Sequence, residues 1–385
     1  MEKTHAFKLA GTAMFILSAA TSALAADGFK LRFPISGTLG GEIVAPLPSE
    51  GWVGSIAITD INVDKVTGND GNSLSLSQEK IFTGPTGTAL AGKTAPYIST
   101  AALGLKQRAT QANMTLAKLL SADVQGGKLA LAINIPYSLS LNTDAKFVGA
   151  TPTLGTLTPP LVVSADPRVN AAANASMQAQ AQAGFNLPTG YQAGLAAQGQ
   201  TASVNTSGLG DIETSLLYEK TVNQFKVVAG ATLALPTGNY SYTEGAMKPN
   251  VGYGKYFTFR PGVGVAYAAS DTVTLGARGS LGFNTKNTEN KVRSGNFYVI
   301  DLAAAFKTPV GVFGPHMTIM RQFTDDTGGN VALGGNRLSM TGAGAFATFP
   351  IKAIGAGLNL SYMKTIDSRN SLSGSFVQAR ISKAF

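Results

Sequence analysis

The chain has 385 residues and a formal charge of +9, and it is 44% hydrophobic but only 13% charged. That is about half the ~25% charge of an average soluble domain, which argues against an ordinary soluble enzyme, and the apolar share argues against a disordered chain. With no cysteine, disulfide scaffolds, thiolate nucleophiles and Cys-ligated zinc or iron–sulfur sites are excluded.

Taken in chain order, Lys3 and Lys8 precede an apolar stretch from Leu9 to Ala20, and Ala23-Leu24-Ala25 follows as a small-x-small site. This layout predicts a secretory signal peptide over 1–25, cut after Ala25. Beyond Ala26 no uninterrupted apolar run reaches the ~18 residues a spanning helix needs. Lysines and arginines are scattered singly on an exported chain, so no nucleic acid is expected as a partner. Residues 26–50, with Pro34, Pro46 and Pro48, are not strand-like and are expected to form an N-terminal periplasmic or plug segment.

From residue 51 onward the dominant pattern has period two. Phe225, Val227, Ala229, Ala231, Leu233 and Leu235 alternate with Lys226, Val228, Gly230, Thr232 and Ala234. The stretches 257–267 and 273–283 do the same. Strict alternation means β-strands with one face in an apolar medium. A soluble sandwich would put many Lys, Glu and Asp on the second face, yet here that face is mostly Gly, Ala, Ser and Thr. Aromatics sit near the ends of the apolar face at Phe225, Phe257, Tyr267, Phe283, Tyr298, Phe306 and Tyr362. Apolar outward, small or polar inward and aromatic girdles together predict an all-β, antiparallel transmembrane barrel of the bacterial outer membrane.

Twelve strands are expected, at 52–66, 107–123, 128–141, 208–220, 225–237, 254–269, 272–283, 296–307, 311–323, 337–349, 354–364 and 371–385. The barrel thus occupies 51–385, with long external loops at 67–106 and 142–207. Connections alternate between long and short, as they do when periplasmic turns are short and external loops long. The last link, 365–370, is expected to have six residues. In the second long loop, Ser164-Ala-Asp-Pro167 reads as a helix start, and Asn170 to Ala183 as a helix without an apolar stripe. Phe385, on one face with Val377 and Ile381, resembles the terminal aromatic signal read by the outer-membrane assembly machinery; Lys383 departs from that signal.

Three patterns bear on chemistry. Gly87 to Thr94 matches the P-loop formula, but Pro96 interrupts any following helix, so an external Gly/Thr-rich loop is expected. Apart from His5 in the signal peptide, His316 is the chain's one histidine. No Gly-x-Ser-x-Gly elbow accompanies it, so no catalytic residue is assigned. Asp211, Glu213, Arg260, Arg278 and Asp301 alternate with lipid-facing residues and are expected inside the lumen, as a lattice that fills the barrel, a polar constriction that sets selectivity, or both. Facing lipid instead, an Arg near the midplane would cost roughly 2–4 kcal/mol.

Several motifs then stand in a familiar order: Gly208-Leu-Gly-Asp211, Leu235-Pro-Thr-Gly-Asn-Tyr240, Phe259-Arg-Pro-Gly-Val-Gly264, Arg293-Ser-Gly295 with Asp301, Phe323-Thr-Asp-Asp326 and Arg369-Asn370. Together they resemble the bacterial outer-membrane transporter family named after the meta-pathway of phenol degradation. The resemblance covers 208–385 well and 52–66 with 107–141 loosely, and leaves out 142–207. It implies a channel that passively admits small hydrophobic or aromatic molecules. Expected partners are outer-membrane lipid and lipopolysaccharide, the assembly machinery and such solutes, with no cofactor and no metal. The alternatives are a barrel enzyme acting on lipid and a structural or adhesive surface barrel.

Overall fold

In the computed structural model, residues 32, 51–200, 204–241, 250–328 and 337–385 are described. The expected signal peptide lies outside them, and of the 26–50 segment only Arg32 lies within them. The strands are β1 (Gly51–Val66), β2 (Ser75–Thr83), β3 (Thr94–Val124), β4 (Gly127–Val148), β5 (Val204–Leu209), β6 (Glu213–Val222) and β7 (Phe225–Ala234). They continue as β8 (Thr258–Ala268), β9 (Val273–Asn284), β10 (Phe297–Lys307), β11 (Val312–Gln322), β12 (Ser339–Ile351), β13 (Ala356–Arg369) and β14 (Leu372–Ala384). Two helices, α1 (Pro167–Asn186) and α2 (Tyr191–Gln200), lie between β4 and β5.

Each strand from β6 to β14 pairs antiparallel with its chain neighbour, β14 pairs with β1, β1 with β3, β3 with β4 and β4 with β6. That ring closes a barrel of twelve strands, so no edge is left with unpaired backbone groups. Terminal strand pairing is continued by reciprocal bonds between Trp52 and Phe385, each 2.9 Å.

Outward positions carry Ile56, Ile58, Met114, Leu116, Leu131, Ile133, Leu216, Val263, Leu275, Ile300, Leu302, Leu360, Val377 and Ile381, all exposed. A continuous apolar band of this kind is stable only in hydrocarbon. Aromatics mark both ends of the band. At the short-turn end Phe225 stacks on Tyr267 at 4.9 Å, and Phe313 meets Phe349 edge to face at 5.4 Å. At the other end Phe259 opposes Phe283 in register. Tyr362 departs from the girdle expectation, because it opposes Val377 in mid-strand.

Several boundaries differ from the sequence expectation, three of them with a bearing on the barrel. The strand expected at 208–220 is divided into β5 and β6 around Gly210–Ile212, opposite Pro136, whose carbonyl accepts the Gly210 N–H at 2.8 Å. Proline has no N–H to continue the ladder, so the partner strand bends there. The stretch 67–106 is not simply a loop: it holds β2, which pairs with the first part of β3 from Ser75↔Ala102 to Thr83↔Thr94. Finally, β13 and β14 run on until only Asn370 and Ser371 separate them, shorter than the turn at 352–355, so the alternation of long and short connections ends before the last hairpin.

The chain divides into two compact units, and residues 73–105 with 144–203 belong to the smaller one. Its core gathers Phe82, Tyr97, Met177, Ala181, Phe185, Tyr191 and Leu195, with the Tyr97 and Phe185 rings edge to face at 5.2 Å. Helix α1 begins at Pro167 with Asp166 accepting from the Arg168 N–H at 2.8 Å. It does have an apolar face, Met177-Ala181-Phe185, which is buried.

A second face of α1 repeats every four residues as Asn170, Asn174, Gln178 and Gln182. These carboxamides accept from the backbone N–H groups of Val163, Leu161, Leu157 and Leu154, at 2.8, 2.7, 3.2 and 3.0 Å. They also donate to carbonyls of the same extended strap, among them Ser164, Leu161, Leu154 and Pro152. The amides stand in for a neighbouring β-strand, satisfying a backbone that would otherwise be left unpaired.

Candidate functional site

Inward-facing positions of the barrel are buried or half-buried, and their chemistry differs around the wall. On β6 to β9 and the start of β10 the wall is charged and internally paired. Asp211 sits in the break between β5 and β6. Its carboxylate accepts from the Gly238 and Tyr253 N–H groups, each at 2.9 Å, and from Arg32 Nε at 2.9 Å. Arg32 also donates to the Gly254 carbonyl at 2.6 Å and to that of Tyr256, and lies 4.0 Å over the Tyr256 ring. Its own carbonyl accepts from Arg260 Nη1 at 2.9 Å, while Arg260 Nη2 pairs with Glu213 at 2.5 Å. The Tyr253 phenol, in the connection between β7 and β8, is pushed up to about 12 by burial and by the Asp211 and Glu213 carboxylates.

A second pair lies beside it. Arg278 Nε donates to Asp301 at 2.9 Å, and the Thr318 hydroxyl donates to the other oxygen of the same carboxylate. The five inward charges singled out in sequence therefore fall into two networks, Asp211–Arg32–Arg260–Glu213 and Arg278–Asp301–Thr318. Arg32 had no signal of its own, because a lone arginine in a proline-punctuated segment has no period that would place it. Glu219 and Lys226 form a further inward pair at 3.2 Å. On β14 Arg380 donates to Gln378 at 2.9 Å, and Gln378 to Thr59 at 2.7 Å.

From β10 to β12, Asp301, His316, Thr318 and Gln322 aside, the wall is largely apolar. Phe297, Val299, Met320, Leu338 and Met340 form one buried cluster, and Ala303, Ala305 and Phe346 another, with Met363 and Phe376 also buried. His316 stands among them with Nε2 3.0 Å from the Tyr362 carbonyl. Acting as a general base in acyl transfer calls for a nucleophile and an orienting carboxylate on the two ring nitrogens; here one nitrogen is engaged by backbone. The P-loop lookalike is the β2–β3 connection, held by Gly84 N–H to the Lys93 carbonyl at 2.8 Å, and Thr94 opens a strand rather than a helix.

Among solved structures, the COG4313 outer membrane channel from Pseudomonas putida F1 is similar with a TM-score of 0.58 at 12% identity, over 92% of this chain and all of that one. A Pseudomonas aeruginosa FadL homologue and the CymD monoaromatic hydrocarbon channel both score 0.36, at 8% and 12% identity, over 95% and 94% of this chain and 98% of each of theirs. No curated protein matches the chain in sequence. The family model described as "Putative MetA-pathway of phenol degradation" matches residues 125–381, a span that includes the 142–207 insertion, and the chain belongs to that family.

Proposed function

We propose that the protein is an outer-membrane channel through which small apolar molecules, aromatic compounds among them, pass down their gradient. The observation that carries this reading is the two-faced lumen. An apolar wall on β10 to β12, from Phe297 to Phe346, offers a solute van der Waals contact along its path, and the neighbouring wall ties up its charges in pairs. Unpaired charges would favour ions, whereas paired ones present little net field. Twelve strands fall between the ~8 whose side chains fill the barrel and the ~16–18 that leave a wide aqueous pore.

The family membership supports the same solute class. Residues 1–25 serve as a cleaved signal peptide, Phe385 as the assembly signal, and outer-membrane lipid with lipopolysaccharide surrounds the band. Arg32 anchors the N-terminal segment, periplasmic or plug, at Asp211. Asp211, Glu213, Arg260, Arg278 and Asp301 set the polar constriction. No chemical step is assigned to His316.

Proteoliposomes carrying the refolded barrel test the reading. Uptake of toluene and other small aromatics should exceed that of empty vesicles, and sugars of similar size should gain far less. A barrel that migrates as folded on gels yet admits neither class is not a channel.

A further inference from the structure

Resting on the channel reading, we infer that His316 is a recognition point in the apolar wall, where a passing solute with one O–H or N–H donor on an apolar body is held.

Four observations combine. His316 is 6% exposed and faces inward on β11. Its Nε2 reaches not a neighbour on β12 but the Tyr362 carbonyl on β13, across β12 at Gly344, which is its register partner. The crossing needs glycine there: a Cβ on Gly344 would lie 2.6 Å from Nε2 and 1.8 Å from the Tyr362 oxygen. A carbonyl can only accept, so Nε2 carries the hydrogen, and in the neutral ring Nδ1 is left as a bare acceptor. Among the described residues Nδ1 has no hydrogen-bond partner.

The ring's surroundings define the ligand. Ala303 and Gly344 oppose His316 on its two sides and Gly276 lies one strand further, so the wall is shallow there. The Phe346 ring is 6.1 Å away, and Met363 opposes Gly344. An unsatisfied buried acceptor favours whatever brings it a donor, while small residues and an aromatic ring favour a flat apolar body. Nδ1 is enclosed in this structure, so a solute reaches it as the side chains around the ring turn aside. The fitting class is a phenol or a comparable alcohol, ahead of the hydrocarbon of the same shape.

The test uses the folded full-length barrel in nanodiscs with p-cresol, p-xylene and 4-methylanisole. With 15N-labelled histidine, the Nδ1 resonance of His316 is assigned by its loss in His316→Phe. It should move on addition of p-cresol and stay in place with the other two. In proteoliposomes the p-cresol to p-xylene uptake ratio should fall roughly tenfold in His316→Phe, equivalent to about 1.4 kcal/mol. Gly344→Ala should lower it too by displacing the ring, with the barrel still folded on gels. If all three solutes shift Nδ1 alike, or p-cresol does not shift it, or the ratio is unchanged in His316→Phe while wild type carries both, the site is refuted and the channel stands. If wild type carries neither solute, the channel reading fails first.

Discussion

Replacing Arg32 by Ala tests the link between the N-terminal segment and the lumen wall. The substitution removes the buried pair with Asp211, the bonds to the Gly254 and Tyr256 carbonyls and the contact with the Tyr256 ring. Breaking a buried ion pair by deleting one partner costs about 3–5 kcal/mol. Asp211 keeps the Gly238 and Tyr253 N–H groups, so its charge is not abandoned and the lower end, about 3 kcal/mol, applies. At ~1.4 kcal/mol per tenfold, that moves the anchored-to-released ratio by roughly a hundredfold.

Two assays read the shift. In planar bilayers Arg32→Ala should spend far more time in a higher-conductance state than wild type. Because the chain has no cysteine, Tyr256→Cys supplies a unique thiol beneath the Arg32 guanidinium, and its labelling by a bulky water-soluble reagent should speed up when Arg32→Ala is added. Asp211→Asn should act in the same direction but less, since the amide still accepts. Conductance and labelling both unchanged in a folded Arg32→Ala barrel would refute the anchor.

Three further outcomes follow from the geometry. In urea unfolding from bilayers, Asp301→Ala should lose about 3–5 kcal/mol by stranding Arg278; the double change with Arg278→Ala should lose clearly less than the two single losses together, and strict additivity would show the pair is uncoupled. Asn174→Ala removes bonds to both the N–H and the carbonyl of Leu161, so the strap should loosen by about 1–2 kcal/mol, seen as faster exchange of the Leu161 amide. Burial raises the Tyr191 phenol above its ordinary value of 10.0, so the folded unit holds a proton the unfolded chain gives up. Its stability should therefore be constant below about pH 10 and decline as pH rises beyond it. Near-UV circular dichroism of wild type against Tyr191→Phe checks the sign, and a loss that begins on acidification instead contradicts it.

The barrel was legible in the chain because lipid imposes one rule on every strand. A residue at Phe259 or Leu275 must suit hydrocarbon while its neighbour at Arg260 or Gly276 faces away from it, so alternation marks the barrel strands and gives Glu213, Arg260, Arg278 and Asp301 an expected inward side. Local signals likewise announced the start of α1 at Asp166-Pro167. What needed tertiary structure was contact between residues with no period in common. Arg32 meets Asp211 across 179 positions, and nothing near either residue encodes that encounter. Gly344 reads as one more small inward residue until the His316 ring is found lying over it. The amides of α1 read as a weak polar stripe until the 152–164 strap supplies the backbone they satisfy. Periodicity reports the medium that each side chain faces, whereas a partner is chosen only when chain closure brings distant groups within hydrogen-bonding reach.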